Sequence, residues 1–305
     1  MNGYSNSSPV CAADPGAPLD EPHATTVQVL SARLSSAGCA VLLSGAGLST
    51  ESGIPDYRGP NGTWTRQPRA QWPLSNAVYE QEPELRRASW QRRLHSPLWA
   101  AVPNRGHFAV GRLQRLDVLH WVVTQNVDEL HQRAGSRPDR LIELHGSMRR
   151  VRCLSCGART PMPEVLARVA AGDADPRCTS AAGYHEPAAA PACSGQLCGG
   201  VLQSDTVGFG EALDAHALET ALSVVRRADV LIVAGSSLTV HPAASLVPLA
   251  AQHGAWVAIC NNQPTPYDRL ASLVVRSSVS ALLTAVADAL ATTAIDSAGW
   301  PVDCA

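Results

Sequence analysis

Short apolar runs alternate with amphipathic segments over most of the chain. The apolar runs have the length and composition of buried strands, and we predict strands at residues 39–43, 121–124, 141–144, 229–234, 256–260 and 273–275. Helical periodicity predicts helices at residues 25–37, 213–227, 243–252 and 280–290. This alternation indicates an α/β fold, a Rossmann-like, mostly parallel sheet with helices on both faces.

Each of the five predicted strands from residues 39–43 to residues 256–260 is followed by a polar or glycine-rich loop. Ligands of open parallel sheets bind outside the carboxyl ends of the strands, so these loops predict one shared ligand site. The loops begin with Gly45-Ala46-Gly47, Gln125-Asn126-Val127-Asp128, His145-Gly146-Ser147, Gly235-Ser236-Ser237 and Asn261-Asn262-Gln263.

Two regions interrupt the alternation. Residues 60–103 contain several Trp and Arg residues in broken helical patterns and predict a small helical module, and residues 149–205 contain a cysteine cluster. We expect a domain at residues 23–295, with a core at about 23–59, 104–148 and 206–295. Residues 1–22 have the composition of a disordered tail, and residues 296–305 form a C-terminal tail.

Composition narrows the classes of function. The 305 residues carry a formal net charge of -2, which offers no general attraction to nucleic acid or to an anionic membrane. No secretory signal or apolar run of the ~18 residues that span a bilayer is evident, so we expect a cytoplasmic protein. All 24 basic residues are arginine, which argues against Schiff-base chemistry and against a P-loop, because both require lysine.

The loop after the first strand begins like a dinucleotide-binding turn. Gly45 and Gly47 would let backbone N–H groups approach a pyrophosphate, but the third glycine of the dehydrogenase fingerprint is replaced by Thr50. A hydride-transfer enzyme is therefore disfavoured. Asp56 and Arg58 follow in a loop bounded by Pro and Gly, where they either pair on the surface or face the ribose and phosphates of a nucleotide.

Two further strand ends carry residues suited to catalysis. Asn126 and Asp128 are separated by one residue, and Asp128 is expected to cap the following helix, to bind a ligand, or to do both. His145 stands between an apolar residue and Gly146 at the ligand edge of the sheet. A neutral imidazole with a pKa near 6.5 suits a general base.

Five of the nine cysteines crowd into one segment and predict a structural zinc site. Cys153 and Cys156 have the spacing of a zinc knuckle, and we expect Cys193 and Cys198 to complete a four-thiolate site. Cys178 is the alternative third ligand. Four cysteine ligands leave no open coordination position, which makes the metal structural and not catalytic.

Taken together, these motifs resemble the sirtuin family of NAD-dependent protein deacylases. The resemblance extends over about residues 25–290, and the segments that carry it, in order, are GAGLSTESGIPDYRG, TQNVDELHQRAG, ELHGS, the cysteine pairs, GFGE, GSSLTVHPA and NNQPT. The PDYRGPNGTWTR segment is most similar to bacterial members of the mitochondrial-type branch, class II. The family fold implied is a Rossmann-like domain with a small zinc-ribbon and helical domain.

The resemblance also implies residue roles. The NAD-binding residues implied are Gly45, Ala46, Gly47, Ser49, Thr50, Asp56, Tyr57, Arg58, Gln125, Asn126, Asp128, Gly235, Ser236, Ser237, Asn261, Asn262 and Gln263. His145 is the implied catalytic base, with Asn126 and Asp128 as further catalytic residues. The implied acyl-lysine peptide contacts are Val207, Gly208, Phe209 and Gly210, in a strand at residues 207–211.

The implied reaction consumes NAD. The acyl oxygen of a modified lysine attacks the ribose carbon that carries nicotinamide, and nicotinamide leaves. His145 then deprotonates a ribose hydroxyl, which leads to free lysine and O-acyl-ADP-ribose. The implied cofactors are NAD and one zinc ion, and the implied partners are proteins with acylated lysines.

Some features depart from the family pattern. The second cysteine pair is usually closer, and Gly208 occupies a frequent phenylalanine position, which permits a wider acyl channel. The Arg92/Arg93 pair lies near the region where some relatives bind an acidic acyl group, but the tyrosine expected beside it is absent. Acyl preference and oligomeric state stay open. A mono-ADP-ribosyltransferase is the nearest alternative, and a non-catalytic NAD sensor or zinc-ribbon interaction module is the third.

Overall fold

The computed structural model describes residues 22–66, 76–180, 198–208 and 210–297. The described strands are β1 Ala40–Ser44, β2 Trp121–Thr124, β3 Leu141–Glu143, β4 Gly146–Cys153, β5 Arg159–Pro161, β6 Leu202–Thr206, β7 Val230–Ala234, β8 Trp256–Cys260 and β9 Leu273–Val275. Six of them form a parallel sheet in the order β3-β2-β1-β7-β8-β9. These are the six strands predicted from the apolar runs, and the parallel α/β fold is confirmed.

The described helices are α1 Ala24–Ser36, α2 Thr63–Arg66, α3 Asn76–Gln81, α4 Pro83–Leu94, α5 Arg105–Arg115, α6 Leu130–Arg133, α7 Met162–Ala170, α8 Ala215–Arg226, α9 Leu246–Gln252 and α10 Val279–Ser297. The sheet has a separate apolar core on each face. One core packs α1, α5 and α10 against the sheet, and the other packs α8 and α9. Among the described residues, no helix is both long and apolar enough to cross a bilayer.

Strand β1 shows why its sequence lacks the alternation of a half-exposed strand. All five of its residues are buried. Leu42 packs into the core under α1, whereas Val41 and Leu43 pack into the core under α8. Because both faces of a parallel sheet are covered, the strand reads as one continuous apolar run.

A second, smaller module contains β4, β5, α7 and β6, which follow β3 in the chain. Strands β5, β4 and β6 form a small antiparallel sheet that packs with α7 around its own apolar cluster. The Arg86 guanidinium on α4 is almost fully buried and forms a salt bridge of 2.8 Å with Asp175, which joins the helical module to the cysteine-containing module. The strand expected at residues 207–211 is not formed at its described residues, because β6 ends at Thr206 and residues 207, 208, 210 and 211 are not in a strand.

Candidate active site

The loops that follow β1, β2, β7 and β8 surround a cavity of about 310 Å³. This volume falls at the lower end of the range of about 300–1,000 Å³ that is typical of small-molecule sites. The predicted residues that line it are Gly45, Ala46, Gly47, Asp56, Tyr57, Arg58, Gln125, Asn126, His145, Val207, Gly208, Gly210, Gly235, Ser236, Ser237, Asn261, Asn262 and Gln263. Met148, Thr206 and His241 also line the cavity and were not among the predicted site residues.

Three predicted nucleotide-binding residues are not cavity-lining. Ser49 and Asp128 are buried behind the cavity wall. Thr50 is exposed, and its Oγ1 donates to the Gly47 carbonyl oxygen at 3.0 Å. Phe209, the fourth predicted peptide contact, lies outside the described residues. Ser49 and Asp128 therefore reach the cavity only through other side chains.

The glycines after β1 and β7 are required by the contact between two loops. The Gly47 N–H donates to the Gly235 carbonyl oxygen at 2.8 Å. A Cβ atom on Gly45 would lie 2.7 Å from that same oxygen, and one on Gly235 would lie 2.5 Å from the Leu48 nitrogen. Gly235 also has a φ of +67°, in the left-handed region. Side chains here would force the loops apart and fill the space in which a pyrophosphate would contact backbone.

The loop with Asp56 and Arg58 borders the same cavity. The Asp56 carboxylate accepts a hydrogen bond of 3.1 Å from the Gly59 N–H, which closes the turn. Both charged residues thus stand at the ligand edge, as the nucleotide-facing alternative requires. The fit supports a dinucleotide in this cleft, because glycine backbone, polar loops and one cation converge on it.

Asn126 and Asp128 belong to one buried hydrogen-bond network. Asp128 Oδ2 accepts from Ser49 Oγ at 2.6 Å, and Asp128 Oδ1 accepts from the Leu130 N–H at 2.9 Å. Asn126 Nδ2 donates to the Gly45 carbonyl oxygen and to Ser49 Oγ, both at 3.1 Å. Asp128 therefore accepts from the first N–H of α6, whose N-cap residue is Glu129, and it also holds Ser49, which in turn orients the Asn126 amide at the cavity wall.

His145 has the geometry of a general base. Its Nδ1 lies 2.9 Å from the Gln125 carbonyl oxygen, and because a carbonyl can only accept, Nδ1 carries the proton. This bond leaves Nε2 as the nitrogen that can take a proton from a ligand. Burial lowers the pKa of His145, and the bond to Gln125 offsets only part of that effect. The imidazole is therefore mostly neutral at pH 7, as a base must be.

Behind the site lies a pair of buried histidines that the motifs did not reveal. The rings of His107 and His131 meet edge to face, with 5.2 Å between centroids. His131 Nε2 lies 2.9 Å from Ser44 Oγ, which itself donates to Thr124, and His107 Nδ1 accepts from the Asn104 N–H. His107 Nε2 and His131 Nδ1 are buried without a partner among the described residues. Burial lowers the pKa of His107 to about 4 and that of His131 to about 3.

These two histidines should make the folded chain sensitive to acid. Their folded-state pKa values lie below the value of about 6.5 in an unfolded chain, so the unfolded chain binds more protons as the pH falls below 6.5. The stability that depends on these two histidines being neutral is thus fully present above about pH 6.5 and is lost progressively as the pH falls below it. Between pH 7 and pH 5 we expect each histidine to remove about 2 kcal/mol from the free energy of unfolding.

Urea unfolding at pH 7 and pH 5 checks this expectation with a matched variant. The change in unfolding free energy between the two pH values should be about 2 kcal/mol smaller in His131→Asn than in the unaltered protein. Because both proteins share the cysteine cluster, acid effects on metal binding cancel in the comparison. An identical pH dependence in the two proteins would show that His131 does not titrate with unfolding.

Four cysteines of the small module form a cluster with the geometry of a tetrahedral metal site. The Sγ atoms of Cys153, Cys156, Cys178 and Cys198 all lie within 4.8 Å of one another. Two of the separations are 3.7 Å, between Cys153 and Cys198, and 3.8 Å, between Cys156 and Cys178. Zn–S bonds of about 2.3 Å place tetrahedral sulfurs about 3.8 Å apart. The donor set and its spacing therefore fit one structural zinc ion.

The third ligand is Cys178 in place of the predicted Cys193, which lies outside the described residues. The Gly157 N–H donates to the Cys153 carbonyl at 3.0 Å, and the Gly199 N–H donates to the Cys178 carbonyl at the same distance. The two halves of the site thus share one turn geometry, although residues 179–197 separate the second pair. This corrects the predicted pairing of Cys193 with Cys198 and supports the alternative that the sequence left open.

Comparison with known proteins agrees with this geometry. The Sir2 family profile matches residues 45–242. NAD-dependent protein deacetylase 2 of Streptomyces coelicolor is 45% identical over 245 residues, which cover 80% of this chain and 95% of the relative. NAD-dependent protein deacetylase 1 of the same organism is 40% identical over 294 residues, covering 92% and 95%.

Solved structures show the same fold. A Sir2 protein with a p53 peptide and NAD+ superposes with a TM-score of 0.71 at 29% identity, covering 87% of this chain and 99% of the other. A Sir2 histidine-to-alanine variant with a deacetylated p53 peptide and 3'-O-acetyl ADP ribose gives a TM-score of 0.72 at 30% identity, covering 86% and 98%. Fold, cavity, cysteine cluster and sequence similarity agree, and the chain belongs to the Sir2 family.

Proposed function

We propose that this chain is an NAD-dependent protein deacetylase. It consumes NAD, an acetylated lysine and water, and it releases nicotinamide, free lysine and O-acetyl-ADP-ribose. The observation that carries the proposal is the shared cavity, which joins the glycine loops after β1 and β7 to His145 and to Val207, Gly208 and Gly210. Deacetylase relatives that match over 80–92% of the chain support it.

The side chains of the cavity have distinct roles in this proposal. His145 accepts a proton at Nε2 from a ribose hydroxyl, since its Nδ1 is held by the Gln125 carbonyl. The Asn126 amide orients the ribose that loses nicotinamide. Asp128 acts as a positioning residue through Ser49, because its carboxylate is buried and does not line the cavity. Catalysis depends as much on positioning as on proton transfer.

An acetyl group is the favoured acyl substrate. The Arg93 guanidinium lies over the Trp90 ring, donates to Ser89, and donates to Ser204 Oγ at 3.0 Å. Arg93 is not among the cavity-lining residues, and its guanidinium is held by these partners. This arrangement supports a neutral acyl group over an acidic one.

Two finer assignments belong to the proposal. The segment at residues 55–66 supports a place among bacterial members of the mitochondrial-type branch, class II. Free thiols at Cys39 and Cys260, together with the four-thiol cluster, are typical of a reducing compartment and support a cytoplasmic location. Cell fractionation that finds the protein outside the cytoplasm would overturn that location.

A panel of acylated peptides tests the function. The protein is incubated with NAD and with acetyl-, succinyl- or long-chain-acyl-lysine peptides, and products are followed by mass spectrometry. We expect deacylation to be NAD-dependent and fastest for the acetyl peptide. Faster desuccinylation would overturn the acyl preference. Labelled ADP-ribose attached to protein without any deacylated peptide would instead identify a mono-ADP-ribosyltransferase.

A further inference from the structure

Strand β4 connects the two halves of the active site. Its last residue, Cys153, belongs to the four-thiol cluster, whereas its first half packs against the loop after β2. The Met148 N–H donates to the Val127 carbonyl at 2.8 Å, and Arg149 Nε donates to the Asp128 carbonyl at 3.2 Å. Consecutive residues of the small module thus hold consecutive residues of the loop that contains the Asn126 and Asp128 network.

A bulge in β4 makes this contact possible. The pairing of β4 with β6 shifts register between Ser147 and Val151. A β-bulge leaves residues unpaired with the neighbouring strand and re-aims their side chains. Gly146 precedes the bulge and is paired with Thr206; it has a φ of +71°, and a Cβ atom there would lie 2.1 Å from the Asp205 carbonyl oxygen. The bulged residues 148–150 are therefore free to bond with the loop after β2.

Arg150 is the centre of this contact, because its guanidinium binds three carboxylates from three different elements. Its Nη1 lies 3.2 Å from Glu129, its Nη2 lies 2.8 Å from Glu143, and its Nε lies 3.4 Å from Asp205. Glu129 directly follows Asp128, Glu143 ends β3, and Asp205 lies on β6 next to cavity-lining Thr206. One side chain therefore connects the nucleotide loop, the parallel sheet and the substrate strand.

The charge balance makes this arginine hard to replace. Within the described ranges, Arg150 is the cation whose nitrogens lie within 4.0 Å of carboxylate oxygens of both Glu129 and Glu143. Asp205 has a second cationic partner, Arg159. The three carboxylates are only 12–21% exposed, so solvent screens their mutual repulsion weakly. Glu129 also has a φ of +58°, a conformation that a residue other than glycine keeps only when its surroundings hold it.

We propose that Arg150 is a positioning residue for the deacetylation reaction: it holds residues 126–129 at a fixed place relative to β6, so that nucleotide and acetyl-lysine meet in the same cavity. This inference rests on the proposed function. Arg150 itself is not among the cavity-lining residues. Its effect is exerted through Glu129 on the loop and through Asp205 on the substrate strand.

Kinetics of an Arg150→Met variant provide the first test. Misplacing reacting groups by about 1 Å costs about 10²-fold in rate, so we expect kcat/KM for an acetyl-lysine peptide to fall about 10²-fold, with a lower kcat at saturating substrates. Arg112→Met is the matched control, since Arg112 also forms a salt bridge between two elements, α5 and α10, but neither Arg112 nor Asp288 lines the cavity. Unchanged kinetics in Arg150→Met would overturn the proposal.

Charge removal distinguishes positioning from a loss of packing. If unpaired carboxylates displace the loop, adding Glu129→Gln to Arg150→Met should raise kcat/KM at least fivefold above that of Arg150→Met alone. A double variant as impaired as Arg150→Met would contradict the proposal. The affinity for ADP-ribose, measured by calorimetry, should weaken in Arg150→Met and recover in the double variant. That binding measurement remains valid even if the protein fails to deacetylate any peptide, so it separates this proposal from the proposed function.

The absence of lysine from the chain permits a second test in one folded preparation. The variant R150K has a single ε-amine, which keeps the positive charge but cannot bond three carboxylates through three nitrogens, so its activity should lie between that of R150M and that of the unaltered protein. Acetyl phosphate then acetylates it: the amine attacks the carbonyl carbon, the amide bond forms, phosphate leaves and the amine proton goes to solvent. Acetylated R150K should fall to the level of R150M, while the unaltered protein treated in parallel should keep its activity.

Intact mass before and after the assay shows whether the acetyl group is still attached. Retained activity in R150K that is still acetylated would overturn the role of the Arg150 charge.

Discussion

Replacing His145 with alanine should lower kcat for deacetylation by about 10²–10⁴-fold, the usual contribution of a general base. The variant should still exchange labelled nicotinamide into NAD, because nicotinamide leaves before the base acts. The structure supports this separation, since the Gln125 carbonyl fixes the proton on Nδ1 and leaves Nε2 available. Rapid-quench kinetics of deacetylation and a radiolabel exchange assay measure the two steps separately.

His241→Ala is the matched control. His241 also lines the cavity, but its Nδ1 is hydrogen-bonded to Ser245 at 2.8 Å and it belongs to the loop after β7. We expect its kcat to stay within a few-fold of the unaltered protein. Because burial lowers the pKa of His145, the acid limb of the kcat/KM profile should lie below about pH 6.5. Full deacetylation by His145→Ala would remove His145 from the mechanism.

Replacing Cys178 with serine should abolish zinc binding and unfold the small module. Apparent binding free energies of structural zinc in small domains are about 10–16 kcal/mol, and that energy contributes directly to folding. In the described cluster each sulfur has its tetrahedral neighbours, so the loss of Cys178 leaves three ligands, of which Cys153 and Cys156 are buried and Cys198 is half-buried. Burial raises the pKa of the Cys153 thiol to about 12, so a cation is needed to hold its thiolate form.

Zinc content and thermal unfolding measure this loss, and Cys193→Ser is its control. We expect Cys178→Ser to contain less than a tenth of an equivalent of zinc and Cys193→Ser to contain one equivalent with an unchanged Tm. Deacetylation should fail in Cys178→Ser, because β4 and β6 carry residues of the cavity wall. The opposite result, with zinc lost only from Cys193→Ser, would restore the pairing predicted from sequence spacing.

The parallel sheet could be predicted because each of its strands is a local pattern. Strand β7 consists of five buried apolar residues, Val230–Ala234, and is followed at once by Gly235. Burial on both faces leaves no room for polar residues within the strand, so the run and its glycine end are visible without any tertiary information. The same reasoning predicts the position of the cavity, because the loops at the carboxyl ends of parallel strands lie at the same edge of the sheet.

The cysteine pairing could not be predicted because it depends on a contact between distant residues. Spacing along the chain favours Cys193 as the partner of Cys198. In the fold, Cys178 takes that place, and its carbonyl accepts a hydrogen bond from the Gly199 N–H although the two residues are far apart in the sequence. One signal was present in the sequence: Cys198-Gly199 repeats Cys156-Gly157, which marks the second half of a knuckle but not its first half.

The network behind the cavity also lies beyond local pattern. His107 and His131 are 24 residues apart, and nothing in either segment shows that their rings meet. Asp128 was expected to contact the nucleotide or to cap a helix; in the structure Glu129 is the N-cap residue of α6, and Asp128 accepts from the Leu130 N–H and from Ser49. Such contacts depend on how α5 and α6 pack, which a single sequence does not specify.

The most direct measurement follows the acetyl group through the reaction by mass spectrometry. With an acetyl-lysine peptide and NAD, the earliest time points should show nicotinamide, deacetylated peptide and O-acetyl-ADP-ribose in equal amounts, and no deacetylation should occur without NAD. Deacetylated peptide formed without NAD, or formed together with free acetate and no O-acetyl-ADP-ribose, would contradict an enzyme that breaks NAD at its glycosidic bond.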